Sequence, residues 1–268
     1  MKPRKLLVVD CEGSRIRMLL CVRQWRKYQP LRQFVKTWKN DLREVLAEGC
    51  QYLKINKLGV VTALPDSHAI VKLFPAFNEE DDQEVWLRLR QQAKTIFQYE
   101  EKMLQMDFER LSQIRAVAAQ REFVEEYLQP FKKQKLNIKM LTLRQLALEC
   151  ACRNLMINKK IVGIVEIRSS SVFFAVFLEG NFYYLREELL EGSLSFDNIN
   201  EKIQQHYRFY LSSTSEQLIS EILLCGYYHS IDNLCKTLTE QLELPVRVVG
   251  EFLVAIGLAI SYGEACGY

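Results

Sequence analysis

Two stretches of this chain repeat one short pattern: an apolar strand carrying an acid near its end, a small polar turn, and a second apolar strand. The first runs Leu6-Leu7-Val8-Val9-Asp10, then Cys11-Glu12-Gly13-Ser14, then Ile16-Arg17-Met18-Leu19-Leu20-Cys21-Val22. The second runs Ile161–Ile167 with Glu166 near its end, then Arg168-Ser169-Ser170-Ser171, then Val172–Leu178. A third run at 182–186 follows the tight Glu179-Gly180-Asn181 turn. Apolar, β-branched runs separated by Gly, Ser and Asn read as strands and turns. One such unit in each half of the chain predicts two related lobes facing each other, with the two turns meeting at a cleft.

The 268 residues suffice for one large hydrophobic core or two ordinary ones. Formal charge is +3, and Lys and Arg are spread along the chain apart from Lys2-Pro3-Arg4-Lys5. The basic stripe interleaved with aromatics that marks a nucleic-acid surface is missing, so no direct nucleic-acid partner is expected. Eight cysteines are scattered, and only Cys150 and Cys152 lie close, at i and i+2 of an expected helix where they point apart. They read as reduced structural thiols of the cytosol. His68, His206 and His229 have no acid or cysteine at ligand spacing, and no metal site is read from them. Charged residues interrupt the first apolar run, and Phe252 to Ile260 is too short to cross a bilayer, so neither a secretory signal nor a membrane span is expected. No Gly-x-Ser-x-Gly elbow or Walker-type phosphate loop occurs.

In chain order, Phe34, Val35, Trp38, Leu42, Val45, Leu46 and Leu53 predict an amphipathic helix over 34–54. Lys57–Leu64 and Ala69–Phe74 read as strands around a Pro65-Asp66-Ser67 turn, expected to join the first hairpin in one sheet. Asn78-Glu79-Glu80-Asp81-Asp82 supplies a cap and four acids at a helix start. That helix, Glu84 to Gln98, is expected to bury Val85, Leu89, Ala93 and Ile96. Strands at Met103–Leu111 and Ile114–Ala118 and a helix from Gln120 complete a small insertion. A helix from Leu143 to Leu155 leads to the second hairpin, across which Tyr183 and Tyr184 are expected to pack. Beyond Gly192-Ser193-Leu194 come a helix around Asn198 to Tyr210, a Ser212–Ser215 connection, and a strand Ile219–Cys225 ended by Gly226. A helix Ile231–Leu242, a strand Val246–Val249 and the apolar last helix complete an alternating α/β pattern.

This order resembles the actin-like (ribonuclease H-like) ATPase fold, and within it the PilM and ComA proteins of type IV pilus and competence machinery. The matching pieces are the Leu64-Pro65-Asp66-Ser67 turn, the Glu84–Gln98 helix leading to Asp107-Phe108, and Val117-Ala118-Ala119-Gln120-Arg121-Glu122-Phe123-Val124. Further pieces are Arg186 with Gly192, Leu223-Leu224-Cys225-Gly226, and Val254-Ala255-Ile256-Gly257-Leu258-Ala259. The resemblance implies two lobes with mixed sheets and a small inserted α+β subdomain. Residues 1–74 and 140–158 would form the first lobe, with 251–262 returning to it, 75–139 the insertion and 159–250 the second lobe.

The resemblance also implies a magnesium–ATP site. In that family the first turn reads roughly Asp-Ile-Gly-Ser-Ser-x-Val-Lys. The Asp holds a magnesium-bound water, the Gly lets backbone N–H groups reach phosphate, and the hydroxyls donate further bonds. Asp10, Ser14 and Arg17 match, but Glu12 stands where the Gly belongs. A carboxylate ~4 Å from a phosphate charge costs on the order of 4 kcal/mol at an effective dielectric near 20. At the second turn Glu166 replaces Asp and Arg168 replaces Gly, leaving Ser169, Ser170 and Ser171 as donors. At the adenosine element Gly226 is kept but Tyr227 and Tyr228 follow it. The tentative nucleotide set is therefore Asp10 (also toward the metal), Ser14, Arg17, Glu166, Ser169, Ser170 and Gly226. On that reading Arg168 offsets the Glu12 charge; the other reading is a degraded, vestigial cleft with no cofactor, in which these residues are only structural. A further expectation, from their equivalent places on facing hairpins, is that Glu12 and Arg168 pair across the cleft and hold the lobes closed without ATP.

Two functions follow from the resemblance. One is a cytoplasmic scaffold of a pilus or competence (DNA uptake) complex at the inner membrane. It would grip the N-terminal tail of a PilN-like single-span protein in a groove walled by residues 60–74 and 100–135, alongside other pilus-assembly components. The other is an active actin-like ATPase or sugar-kinase-like phosphotransferase working in the cleft.

Overall fold

The computed structural model describes residues 5–24, 27–39, 41–55, 58–75, 81–111, 113–155, 161–190, 194–214 and 218–266. Asn78, Glu79, Glu80, Gly192, Ser193 and Ser215, which entered the readings above, lie outside them.

Both duplicated units fold as expected. β1 (Lys5–Glu12) and β2 (Arg15–Gln24) form the first hairpin, and β9 (Ile161–Ile167) and β10 (Ser171–Leu178) the second. Each is extended by a third antiparallel strand, β3 (Lys27–Thr37) or β11 (Asn181–Leu189). On its other side each first strand takes two parallel neighbours in turn. These are β4 (Gly59–Leu64) and β8 (Asn137–Leu143) in the first lobe, β12 (Glu221–Gly226) and β13 (Val246–Gly250) in the second. The two sheets thus share one topology, β3-β2-β1-β4-β8 and β11-β10-β9-β12-β13.

β1, β9, β10 and β12 are almost unbroken apolar runs because both their faces are covered. Outer faces pack on α1 (Leu42–Tyr52) and α4 (Arg121–Lys133) in the first lobe, and on α6 (Phe196–Ser213) and α7 (Ile231–Leu242) in the second. Inner faces meet in one shared core. There α5 (Arg144–Leu155) and α8 (Leu253–Ala265) lie between the sheets, with Ala147, Ala151, Ala255 and Leu258 sharing one buried cluster with Leu6 and Val8 of the first sheet and Ile164, Phe173 and Leu223 of the second. The last helix therefore serves both lobes. Gly257 lets α8 approach α5 closely, since a Cβ there would lie 1.8 Å from the Ala147 carbonyl oxygen.

Several expectations are corrected. Phe34 and Val35 belong to β3, and the helix starts only at Leu42, capped by the Asp41 side chain. Pairing of Phe34 with Met18 extends the first hairpin and overrides the helical spacing. Residues 137–143, which gave no strand signal, form β8 at the sheet edge. β5 (Ala69–Pro75) does not join the first sheet. The short turn Asp66–His68 carries it outward to pair with β7 (Gln113–Gln120), which also pairs β6 (Leu104–Arg110), in a separate sheet of order β5-β7-β6. The expected Glu84–Gln98 helix breaks at Gln92 into α2 (Asp82–Gln91) and α3 (Ala93–Phe97). Its cap is a reciprocal box between Asp81 and Glu84, and Phe97 rather than Ile96 is fully buried. Tyr184 packs against Phe174 and Tyr210, while Tyr183 points to the opposite, exposed face.

Candidate functional site

The predicted cleft lies where β1 and β9 end side by side, and charged side chains fill it. Asp10, Arg17, Arg144 and Glu166 are each 3% exposed or less. Asp10 faces Arg17 across the hairpin and accepts from its Nη1 at 3.3 Å. Arg144, the first residue of α5, is the keystone: Nη1 donates to Asp10 of the first lobe and Nη2 to Glu166 of the second. Glu166 also accepts from Arg168 Nε at 2.8 Å. Burial alone would raise the Glu166 carboxyl, but the guanidinium charges of Arg144 and Arg168 prevail and hold it down at about 2. Arg168 reaches further, to Asp66 at 3.2 Å and Glu187 at 2.9 Å, with its guanidinium 4.3 Å from the Phe173 ring centre. Asp66, which also accepts from the Gln145 N–H at 2.8 Å, has its carboxyl raised because burial outweighs the Arg168 charge. At the mouth, Glu251 accepts from Arg15 at 2.8 Å and lies 3.5 Å from Arg17.

The two turns touch. Glu12 does bond across the cleft, but not to Arg168: its Oε1 accepts from the Ser169 N–H at 2.9 Å and hydroxyl at 2.8 Å, while Oε2 lies 3.8 Å from Arg17. The direct Glu12–Arg168 pair is therefore corrected. Arg168 is drawn instead to the three nearer carboxylates of Glu166, Asp66 and Glu187. Gly13 has φ +51°, and a Cβ on it would come 2.0 Å from Ser169 Oγ, so no space separates the turns at this point. Ser14 and Ser170 sit exposed at equivalent positions, their carbonyls accepting from Trp38 N–H and Leu190 N–H, both at 2.8 Å. Gly226 has φ +99°, and a Cβ there would lie 2.1 Å from the Ile167 carbonyl oxygen. The glycine thus serves strand contact within the second sheet. Tyr228 is buried in the second lobe, whereas Tyr227 is 52% exposed with the Arg15 guanidinium 3.7 Å from its ring centre.

Sequence reading missed Arg144, Asp66, Glu187 and Glu251. Arg144 had a signal: a cation at a helix start opposes the dipole and needs nearby acids to hold it there. Among the described residues no group of three or more His, Cys, Asp or Glu side chains is arranged to hold a metal ion.

A second site is a groove of about 620 Å³ between the first lobe and the three-stranded sheet. Its apolar wall comes from Leu64, Leu128, Met140, Leu143 and Leu146, and its polar wall from Gln105, Asp107 and Glu109 on β6. Residues 100–135 supply walls as expected. Of 60–74 only Leu64 lines the groove, and β8, α5 and the end of α8 (Ser261, Ala265) supply the rest. At its floor Arg115 ties the small sheet to α5 through Glu149, at 2.5 and 3.2 Å, and also bonds Glu109.

The fold has close parallels among solved structures, although no curated protein matches the sequence at a significant level. A structure titled as a PilM–PilN type IV pilus biogenesis complex has a TM-score of 0.77 at 17% identity, covering 97% of this chain and 98% of that one. A Bacteroides thetaiotaomicron protein of actin-like ATPase fold has a TM-score of 0.58 at 9% identity, covering 95% of each chain. The cytoplasmic domain of EpsL, an inner-membrane component of the Vibrio cholerae type II secretion system, has a TM-score of 0.54 at 10% identity, covering 97% of this chain and 95% of that one. These likenesses establish the two-lobed actin-like ATPase fold. The profile described as type IV pilus assembly protein PilM matches residues 34–207, from β3 through the inserted sheet and α5 into α6. Because that span takes in most of the chain, including both turns' neighbours Asp66, Arg144, Glu166 and Arg168, the protein belongs to the type IV pilus assembly protein PilM family.

Proposed function

We propose that the protein is a cytoplasmic scaffold of type IV pilus assembly. It seats the N-terminal tail of a PilN-like single-span inner-membrane protein in the groove between the first lobe and the inserted sheet, and uses no nucleotide. The groove carries this reading: it is an open apolar trough with a polar far wall, of a size suited to a short segment. Family membership and the PilM–PilN title of a similar structure support the partner. No helix among the described residues is long and apolar enough to cross a membrane, so a membrane-spanning partner would supply the attachment.

The geometry of the cleft speaks against a magnesium nucleotide. Both Asp10 oxygens are engaged by guanidinium groups, Glu12 occupies the approach to the second turn, and Gly13 lies against Ser169. A phosphotransferase needs a free base and an open phosphate cradle. The residues present do not fit that requirement.

Tagged protein mixed with detergent-solubilised membranes is expected to recover a single-span PilN-like protein, and Leu143→Asp in the groove wall to lose it. Repeated recovery of the bare chain would sink the reading. MgATP titrated calorimetrically into the wild type and Arg168→Ala is expected to give no heat at millimolar nucleotide. Micromolar binding, about −8 kcal/mol, would overturn the nucleotide-free part alone. A deletion strain scored for both piliation and transformation separates pilus assembly from a ComA-like competence role.

A further inference from the structure

The small sheet ends in an open strand. With order β5-β7-β6, β6 is bonded, among the described residues, to β7 on one side only. Backbone groups of an antiparallel strand alternate between its two sides. Two of the outward ones are marked by their partners: the Leu104 carbonyl accepts from Arg121 Nη2 at 2.9 Å, and the Phe108 N–H donates to Asp107 Oδ1 at 2.8 Å. Met106, midway between them, therefore turns its N–H and carbonyl the same way. Side chains thus cover the two ends of this edge and leave its middle open, a guard that keeps an edge strand from pairing with copies of itself.

Open space lies on both faces of this strand. The groove of about 620 Å³ and a second hollow of about 410 Å³ both reach Gln105, Met106 and Asp107. The groove is apolar along Leu128, Met140 and Leu143. The second hollow is bounded by Trp86, Arg90, Lys102 and Arg121, with Glu101 lying 3.6 Å from Arg90. Side chains of a strand alternate between faces. An added strand would therefore send every second side chain into the apolar groove and the others toward a hollow with more cations than anions.

We propose that β6 is a docking edge, on which the partner's cytoplasmic tail binds as a fourth, extended strand. Its apolar side chains fill the groove at alternate positions, and acidic or amide side chains between them face Arg90, Lys102 and Arg121. This inference rests on the proposed PilN-like partner and adds how the tail is held: by main-chain bonds to Met106 and its outward neighbours as well as by side chains. Asp107 and Arg121 swing away from the edge as the strand arrives.

The test uses the full chain and a fluorescein-labelled synthetic peptide of about 15 residues, copied from the tail of the single-span protein recovered above. Anisotropy titrations compare the unmodified peptide with two versions N-methylated at alternate amides, one in each register. Strand addition predicts that one register loses about tenfold or more in affinity while the other stays within about twofold, because only one set of amides faces β6. Equal responses in both registers overturn strand addition but leave groove binding standing. An unmodified peptide that fails to bind removes the PilN-like reading itself, and this inference with it.

Discussion

Arg144 sits at the first turn of a helix, 2% exposed, where both the dipole and burial oppose its charge. It stays because Asp10 and Glu166 take one donor each from opposite lobes. Arg144→Met takes one guanidinium from each carboxylate, leaving Asp10 to Arg17 and Glu166 to Arg168, and is expected to cost about 3 kcal/mol in denaturant unfolding. Adding Asp10→Asn and Glu166→Gln to that variant should recover part of the loss, since the two under-paired carboxylates are gone while Arg17 keeps Glu12 and Glu251 and Arg168 keeps Asp66 and Glu187. Glu166 adds a pH signature. Its folded carboxyl is depressed to about 2 from an ordinary value of 4.5. Its stabilisation is therefore complete above pH ~4.5 and lost as pH falls toward ~2, on the order of 3 kcal/mol. Asp66, whose carboxyl is raised, contributes with the opposite sign and offsets part of this. Glu166→Gln should flatten the stability–pH curve between pH ~4.5 and ~2, measured by urea titration at each pH. The acids at the strand ends were legible because the duplicated pattern marks them. Their true partners were not, since Arg144 lies 134 residues from Asp10 and 22 from Glu166, and only the fold brings the three together.

At the level of elements, glycines separate two costs that a sequence cannot distinguish. Gly226 and Gly250 both have positive φ, but a Cβ meets backbone at 2.1 Å on the first and nothing within 4 Å on the second. Gly250→Ala should cost about 1–2 kcal/mol of backbone strain alone. Gly226→Ala should cost clearly more, because β12 must move away from β9; paired thermal melts test the difference. The same distinction explains which elements were readable. Hairpins with alternating or unbroken apolar runs, such as β1–β2 and β9–β10, announce themselves locally. β3 did not, because its Phe34 and Val35 also fit a helical stripe, and its exposed sheet-edge position leaves few buried residues to fix the period of two. β8 gave no strand signal because the alternation of an edge strand holds in only part of its length. β5 was recognised as a strand, but its sheet is set by pairing with β7, about 45 residues further on, and not by its own composition.

Across the whole molecule, the shared core makes the lobes thermodynamically inseparable. Leu6 and Val8 of one sheet and Ile164 and Phe173 of the other pack on the same α5–α8 pair. Far-UV and near-UV melts are expected to coincide in one transition for the two lobes, and separate transitions would contradict that shared core. Because the cleft charges are buried, raising salt from about 0.1 to 1 M should shift this transition little, unlike a fold held by surface pairs. The whole-chain resemblance was visible as an order of weak pieces, while the filling of the cleft emerged only once distant charges were placed together. The Arg115–Glu149 contact gives that shared core a mechanical meaning. A load applied to the small sheet passes through Arg115 into α5 and from there into both lobes at once. On the proposed scaffold reading, such a path would act as a strut between the groove and the two lobes.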